Sequence, residues 1–182
     1  MSHAVSLTEL SARVVFAARA SQAKIITVES CTAGSLCTLL ADTPGAGDIL
    51  LGGLVTYAKA CKAEVLGIPE DVLAACSAVS AEVAAAMADG ALSKCSSATV
   101  AIAVTCVGGP KPDEDGNPVG LTHLAVKHRS GSLLQRRLQI DGHSSGRIRG
   151  EALTQALHLV LEALAANTGD DPGDHAFRSQ LG

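Results

Sequence analysis

Two potential nucleophiles follow a glutamate at the point where an apolar segment ends. Residues 25–28 are mostly β-branched and predict a buried strand, and Glu29, Ser30 and Cys31 come directly after it. A helix is expected from about residue 31 to 41. The start of a helix presents free backbone N–H groups and the positive end of the helix dipole. The sequence therefore predicts a site here that suits a nucleophile or an anionic substrate group.

A serine nucleophile needs a partner base, because its free hydroxyl is hardly ionised near neutral pH, whereas a cysteine needs less help. Histidine is the usual base. Of the six histidines, only His123 and His143 are expected to approach the site, and no G-x-S-x-G signature is present. A Ser-His-Asp triad is therefore unsupported.

Lysine is the other candidate base, if burial lowers its pKa enough to leave the amine neutral. Lys59 and Lys62 follow the second predicted strand, next to Tyr57. If the first two strands are parallel neighbours, their ends face the same crevice, and these residues then approach Ser30. Spacing alone leaves open that Tyr57 is an edge aromatic and that both lysines are solvated.

The elements that must position these residues fit a single domain. With 182 residues and 47% hydrophobic content, the chain can bury one sizeable core, built mainly from aliphatic side chains. An apolar run at 98–105 predicts a central strand covered on both faces. Ser130-Gly131 predicts a hairpin between strands at 119–128 and 132–140, so the sheet should be mixed. A final amphipathic helix is expected at 147–166.

Composition excludes several classes of protein. A net charge of −4 and the lack of a basic stretch with interleaved aromatics argue against nucleic-acid binding. No apolar run reaches about 18 residues and no secretory signal is evident, so we expect a cytoplasmic protein with no membrane partner. The six cysteines include no CxxC pair and are expected to be free buried thiols. The polar loop at 111–118 resembles a calcium loop only superficially, and no metal is predicted.

Four segments in chain order resemble the successive motifs of the CinA C-terminal domain family. They are Thr27-Val-Glu-Ser-Cys-Thr-Ala-Gly34, Gly53-Leu-Val-Thr-Tyr-Ala-Lys-Ala-Cys-Lys-Ala63, Ala78-Val-Ser80 and Val104-Thr-Cys-Val-Gly-Gly-Pro110. The resemblance covers about residues 5 to 166. It implies an α/β fold, a three-layer α/β/α sandwich on a mixed, mostly parallel sheet of about five strands. One domain is then expected at 1–166, followed by a polar tail at 167–182.

The same resemblance implies an enzyme that deamidates nicotinamide mononucleotide to nicotinic acid mononucleotide and ammonia, with no cofactor. Its motifs place the catalytic roles on Ser30, Lys62 and Tyr57; Lys59 falls off the motif position. The expected substrate-binding residues are Glu29, Cys31, Thr32, Gly34, Thr105, Gly108, Gly109 and Arg149. The segment 141–149 departs from the family pattern, and Cys106 replaces a glycine.

Two other functions remain open at this stage. One is a nucleotide-binding or interaction domain of the competence/damage-inducible type that lacks catalysis. The other is a thiol enzyme that uses Cys31. A homo-oligomer is expected because small residues on the Ala-rich helix at 81–95 suit self-association.

Overall fold

The chain folds as an α/β protein, as the sequence predicts. A computed structural model describes residues 5–142 and 144–168. Within these residues the elements are α1 Leu7–Ala20, β1 Ile25–Glu29, α2 Ser35–Ala41, a 3-10 turn Ala46–Asp48, β2 Leu50–Val55, α3 Lys59–Leu66, α4 Glu70–Cys76, α5 Ala81–Lys94, β3 Val100–Cys106, β4 Leu121–His128, β5 Leu133–Gln139 and α6 Ser145–Thr168.

Several predicted boundaries differ from the structure, and two of the differences bear on the site and on the tail. Helix α2 begins at Ser35 rather than near residue 31, because residues 30–34 form a turn. Helix α6 continues to Thr168, beyond the predicted end at 166. The remainder of the predicted tail, 169–182, lies outside the described residues, as does His143.

The sheet has five strands in the order β2-β1-β3-β4-β5, which confirms the predicted mixed sheet. Strand β1 pairs in parallel with both β2 and β3, whereas β4 pairs antiparallel with β3 and β5. All seven residues of β3 are buried, as expected for a central strand. The carboxyl ends of β1, β2 and β3 therefore lie at one edge of the sheet.

Helices cover both faces of the sheet and complete the three-layer sandwich. Helices α1, α2 and α6 enclose one aliphatic core, which includes Leu36, Val104 and Leu157. Helices α3, α4 and α5 enclose the other, which includes Val28 and Met87. Among the described residues, no helix is long and apolar enough to cross a membrane.

Gly90 allows α5 to pack closely against α3, the helix that carries Lys62. A Cβ atom added at Gly90 would lie 2.6 Å from the carbonyl oxygen of Leu66, at the end of α3. Four small residues of α5, namely Ala84, Ala88, Gly90 and Ala91, are buried. Part of the surface that was expected to support self-association therefore lies in the core.

We expect Gly90→Ala to lower the free energy of unfolding by about 1–2 kcal/mol, because the added methyl group forces α3 away from α5. Gly150→Ala in α6 is the matched control, since a Cβ there meets nothing within 4 Å. It should stabilise the chain by up to about 1 kcal/mol through helix propensity. Urea unfolding of both variants measures the difference; equal stabilities would contradict the close packing.

Candidate active site

Ser30 lies in the first residue position after β1. Its backbone N–H donates to the carbonyl oxygen of Val104 at 3.0 Å and so extends the parallel pairing with β3 by one residue. The chain then turns sharply, with positive φ angles of 51° at Ala33 and 93° at Gly34, before α2 begins. Ser30 is therefore fixed by the sheet on one side and followed by a strained turn on the other.

Glu29 supplies the N-terminal cap of α2. Its side chain is fully buried, and its carboxylate accepts hydrogen bonds from the backbone N–H groups of Gly34 at 3.0 Å, Leu36 at 3.0 Å and Cys37 at 2.9 Å. A fourth bond comes from Thr27 Oγ1 at 3.1 Å. A carboxylate at this end of a helix is favoured by the dipole. Glu29 thus holds the turn in place and has no oxygen free of these bonds.

The turn differs from the helix start with free backbone N–H groups that the sequence predicts. The N-cap residue of α2 is Gly34, and no side chain of Thr32 or Ser35 caps the helix. The N–H of Gly34 is bonded to Glu29, so it is not free to hold an oxyanion. Within the described part of the chain, the N–H groups of Cys31 and Thr32 have no acceptor, and they are the donors that the turn still offers.

Lys62 is fully buried beneath the second corner of the site. Its Nζ donates to the carbonyl oxygen of Thr56 at 2.6 Å, and the N–H of Thr56 donates to the carbonyl oxygen of Glu29 at 2.8 Å. Burial lowers the pKa of Lys62 to about 8. The possibility that this lysine is solvated is therefore wrong. Among the described residues, its acceptor is Thr56 and not Ser30 Oγ.

Lys59 differs from Lys62 in its partners and in the direction in which its pKa is shifted. Its Nζ lies 2.7 Å from Asp115 Oδ1 and 3.3 Å from Glu114 Oε1, and the hydrogen bond to Asp115 raises its pKa. Asp115 also accepts from the N–H of Ala78 at 3.2 Å. Lys59 stays protonated and anchors the loop at 111–118, so it is unsuited to act as a base.

Tyr57, Thr105 and His123 occupy three different environments. Tyr57 is 71% exposed at the mouth of the site. Thr105 is buried at the end of β3 and donates through Oγ1 to the carbonyl oxygen of Ala78 at 2.9 Å. His123 pairs with Thr105 across the β3–β4 ladder, where burial and then the charge of Arg137 lower its pKa. His123 does not line the cavity at Ser30.

Cys31 and Cys106 form a disulfide, so the expectation of free thiols is wrong for this pair. The parallel register pairs Glu29 with Val104, and two more residues along each chain bring the cysteines to a Cα–Cα distance of 5.6 Å. The absence of CxxC pairs does not exclude this disulfide, because neighbouring parallel strands bring together two cysteines that are 75 positions apart in the sequence. A bonded Cys31 sulfur is not a thiolate nucleophile. Cysteines 37, 61, 76 and 95 are free.

One cavity of about 320 Å³ opens at the carboxyl ends of β1 and β3. It brings together five predicted site residues, namely Ser30, Tyr57, Thr105, Gly108 and Gly109. Its wall also contains Lys59, one of the two candidate bases in the sequence, and four residues that the sequence did not single out for this purpose: Cys106, Lys111, Asp113 and Glu114. The loop at 111–118 is thus part of the site. Its composition of turn-forming residues did not predict this.

The remaining predicted residues do not line this cavity. Glu29, Thr32 and Lys62 are buried behind it, and Gly34 lines a separate depression along α2. Arg149 is exposed on α6 and is absent from the cavity wall. Among the described residues, no group of three side chains is arranged to hold a metal ion.

Comparison with known proteins supports one family. The model of the CinA C-terminal domain matches residues 7–164. A CinA-like protein of Mycobacterium sp. (strain MCS) is 41% identical over 140 residues, which are 77% of this chain and 33% of that protein. A CinA-like protein of Frankia casuarinae is 43% identical over 143 residues, 79% of this chain and 32% of its own length. The chain thus spans about a third of these curated relatives.

Solved structures agree with this match. A competence-damaged protein (CinA) superfamily protein from Escherichia coli has a TM-score of 0.84 at 30% identity, covering 90% of this chain and 93% of its own. The competence/damage inducible protein CihA from Agrobacterium tumefaciens has a TM-score of 0.81 at 34% identity, covering 87% and 94%.

We expect Glu29→Gln to lower the free energy of unfolding by about 1–3 kcal/mol, because the amide NH₂ group must face backbone donors that the carboxylate oxygens now satisfy. Glu82→Gln, on the exposed first turn of α5, is the control and should change stability by less than about 0.5 kcal/mol. Chemical unfolding measures both. A loss for Glu29→Gln no larger than for the control would contradict the capping role.

Stability should also rise between pH 8 and 10.5 because of Lys62. Its folded-state pKa of about 8 lies below the ordinary value of 10.5. Below pH 8 both states are protonated, and the folded state carries the full penalty of the buried charge. Between the two values the unfolded chain binds more protons, so the free energy of unfolding increases with pH.

The Lys62→Met variant isolates this effect. We expect the wild-type stability minus the variant stability to increase by up to about 3 kcal/mol from pH 7.5 to 10.5, at 1.36 kcal/mol per pKa unit. The exposed Lys94→Met variant should show a pH-independent difference. A flat difference for Lys62→Met would mean that the lysine is not desolvated.

Proposed function

The chain belongs to the CinA C-terminal domain family, and from this premise we propose that it is an amidohydrolase that deamidates nicotinamide mononucleotide to nicotinic acid mononucleotide and ammonia. The observation that carries the proposal is the fully buried Lys62, whose pKa of about 8 makes it a usable base, behind a cavity into which Ser30 opens. The proposal concerns this domain alone, since the matched segment makes up about a third of the curated relatives.

Ser30 Oγ would attack the carboxamide carbon while the neutral amine of Lys62 accepts the hydroxyl proton. The resulting tetrahedral intermediate would collapse to an ester on Ser30 as Lys62 returns the proton to the departing ammonia. Water then hydrolyses the ester and releases the carboxylate. The bonds Lys62 Nζ to Thr56 O and Thr56 N to Glu29 O support this pairing, because they tie the base to the residue that precedes the nucleophile.

The developing oxyanion needs preorganised donors. The N–H groups of Cys31 and Thr32, or those of Gly108 and Gly109, would serve, because none of them has an acceptor within the described chain. Loss of one such donor typically lowers the rate by about 10²–10³-fold. Tyr57, at the mouth of the cavity, would orient the incoming ring.

The substrate carries a cationic pyridinium ring and an anionic phosphate group, and the cavity wall carries both signs of charge. Its cations are Lys59 and Lys111, and Lys59 is already engaged by Asp115 and Glu114. We therefore assign the phosphate to Lys111 rather than to Arg149, and the pyridinium to the side of Asp113 and Glu114. No cofactor is required by this chemistry.

Incubation of the purified chain with nicotinamide mononucleotide should release ammonia. We expect Ser30→Ala and Lys62→Ala each to lower kcat by about 10³-fold or more, because nucleophile and base act as a unit. Lys94→Ala, at the exposed end of α5, should retain wild-type activity. The wild-type kcat/KM should rise with pH around an apparent pKa of about 8, as Lys62 loses its proton. Undiminished turnover in both site variants would refute the mechanism.

A binding domain without catalysis is the second candidate. The observation that favours it is that the Nζ of Lys62 is bonded to Thr56 and that Lys62 is absent from the cavity wall. Saturable binding of nicotinamide mononucleotide with no ammonia, even at high protein concentration, would select it.

Self-association and a cytoplasmic location also remain proposals. The exposed apolar side chains of the edge strand β2, Leu51 at 43% and Val55 at 48%, support the first, since such surfaces favour contact with another chain. Analytical ultracentrifugation of the wild type and of Val55→Lys would measure self-association.

A further inference from the structure

The disulfide joins the two walls of the cavity at the reaction centre. Cys31 directly follows Ser30, and Cys106 follows Thr105 in the wall of the same cavity. Both cysteines are largely buried, at 6% and 7% exposure. The bond therefore connects the turn of the nucleophile to the glycine corner at Gly108 and Gly109.

The turn has few other restraints between Ser30 and α2. The hydrogen bonds of Glu29 begin at Gly34, and the pairing with β3 ends at the N–H of Ser30. Between these points, Cys31 and Thr32 have backbone N–H groups without acceptors in the described chain, and Ala33 has a strained positive φ angle. Thr32 Oγ1 is buried without a hydrogen-bond partner there as well. The hydrogen bonds that remain are local: the N–H of Ala33 donates to the carbonyl oxygen of Ser30 at 3.0 Å, and the N–H of Ser35 donates to the carbonyl oxygen of Thr32 at 2.9 Å. Among the bonds of the described chain, the disulfide is thus the one that ties this interval to another element of the fold.

We propose that the Cys31–Cys106 disulfide positions the serine turn and its N–H donors, so that the redox state of this pair sets the activity of the site. The inference deepens the proposed function and rests on it for its effect on catalysis. Cys106 acts here as a positioning residue, through Cys31 and the backbone of the turn. A thiol pair would leave the interval 31–33 held only by its local hydrogen bonds and its packing, and a misplacement of about 1 Å can lower a rate by up to about 10²-fold.

The switching step is thiol–disulfide exchange with a dithiol. The S–S bond between Cys31 and Cys106 breaks, and the dithiol supplies two electrons and two protons, which yield two cysteine thiols while the dithiol becomes a disulfide. Access is through the cavity, since Cys106 forms part of its wall. In a reducing compartment, such as the expected cytoplasm, disulfides are usually transient and serve catalysis or redox sensing.

The test compares the oxidised chain with the chain reduced by dithiothreitol, with the disulfide verified by peptide mass spectrometry. Hydrogen exchange of the backbone amides at 31–34 should become about tenfold faster on reduction, whereas amides in the central strand β3 should keep their rates. In the ammonia assay, kcat should fall by about tenfold with KM changed less than about threefold, because the turn acts on the transition state. Oxidised glutathione should restore both values.

Variants separate this role from a general loss of stability. Cys106→Ser should show the fast exchange and the low kcat with or without dithiothreitol. Cys95→Ser, which removes a free cysteine after α5, should keep the full response to reductant. Unchanged exchange at 31–34 on reduction, or loss of the response in Cys95→Ser, would overturn the inference. Absence of ammonia in both redox states would refute the proposed function, and the exchange rates would still decide the positioning role.

Discussion

The buried carboxylate of Glu29 is the interaction on which the geometry of the site depends. It satisfies three backbone N–H groups at the start of α2, groups that would otherwise be orphaned inside the protein. Its backbone carbonyl oxygen meanwhile accepts the N–H of Thr56. One residue thus joins strand β1, helix α2 and the corner after β2. Ser30 takes its position from this arrangement, because it follows Glu29 in the chain and begins the turn that the carboxylate of Glu29 holds in place.

Burial decides which lysine can perform base chemistry. Lys62 loses its hydration and has a single described acceptor, a neutral carbonyl oxygen, so its ammonium form is destabilised and its pKa falls to about 8. Lys59, three residues earlier, faces two carboxylates and has a raised pKa. The close packing of α5 on α3 at Gly90 supports the burial of Lys62, because it holds the helix that carries this lysine against the core. Helix packing at Gly90, which does not line the cavity, therefore contributes to the burial that lowers the pKa of Lys62.

Sequence patterns predicted the fold well, but they did not predict the specific side-chain contacts of the site. The apolar run of β3 indicated a buried strand and the turn at Ser130-Gly131 indicated a hairpin, so the mixed sheet followed from them, while the three layers followed from the family resemblance. The capping role of Glu29 was missed because serine and threonine are the usual N-caps, and here a strand residue reaches across to the helix. The disulfide was missed because its partners become neighbours only through the parallel register of β1 and β3. Interactions between distant residues are fixed by topology, which no local spacing encodes.

This chain departs from the family pattern at Cys106 and in the segment at 141–149, whereas Glu29, Ser30, Tyr57 and Lys62 match the family motifs. The two departures have different settings. Cys106 lines the cavity at Ser30 and closes a covalent bond to Cys31, the residue after the serine. None of the described residues of 141–149 lines that cavity, and Asp141 and Arg147 instead line a separate depression between β5 and α6. The residues of the proposed mechanism thus follow the family motifs, and what this chain changes beside them is the covalent restraint on the turn after Ser30.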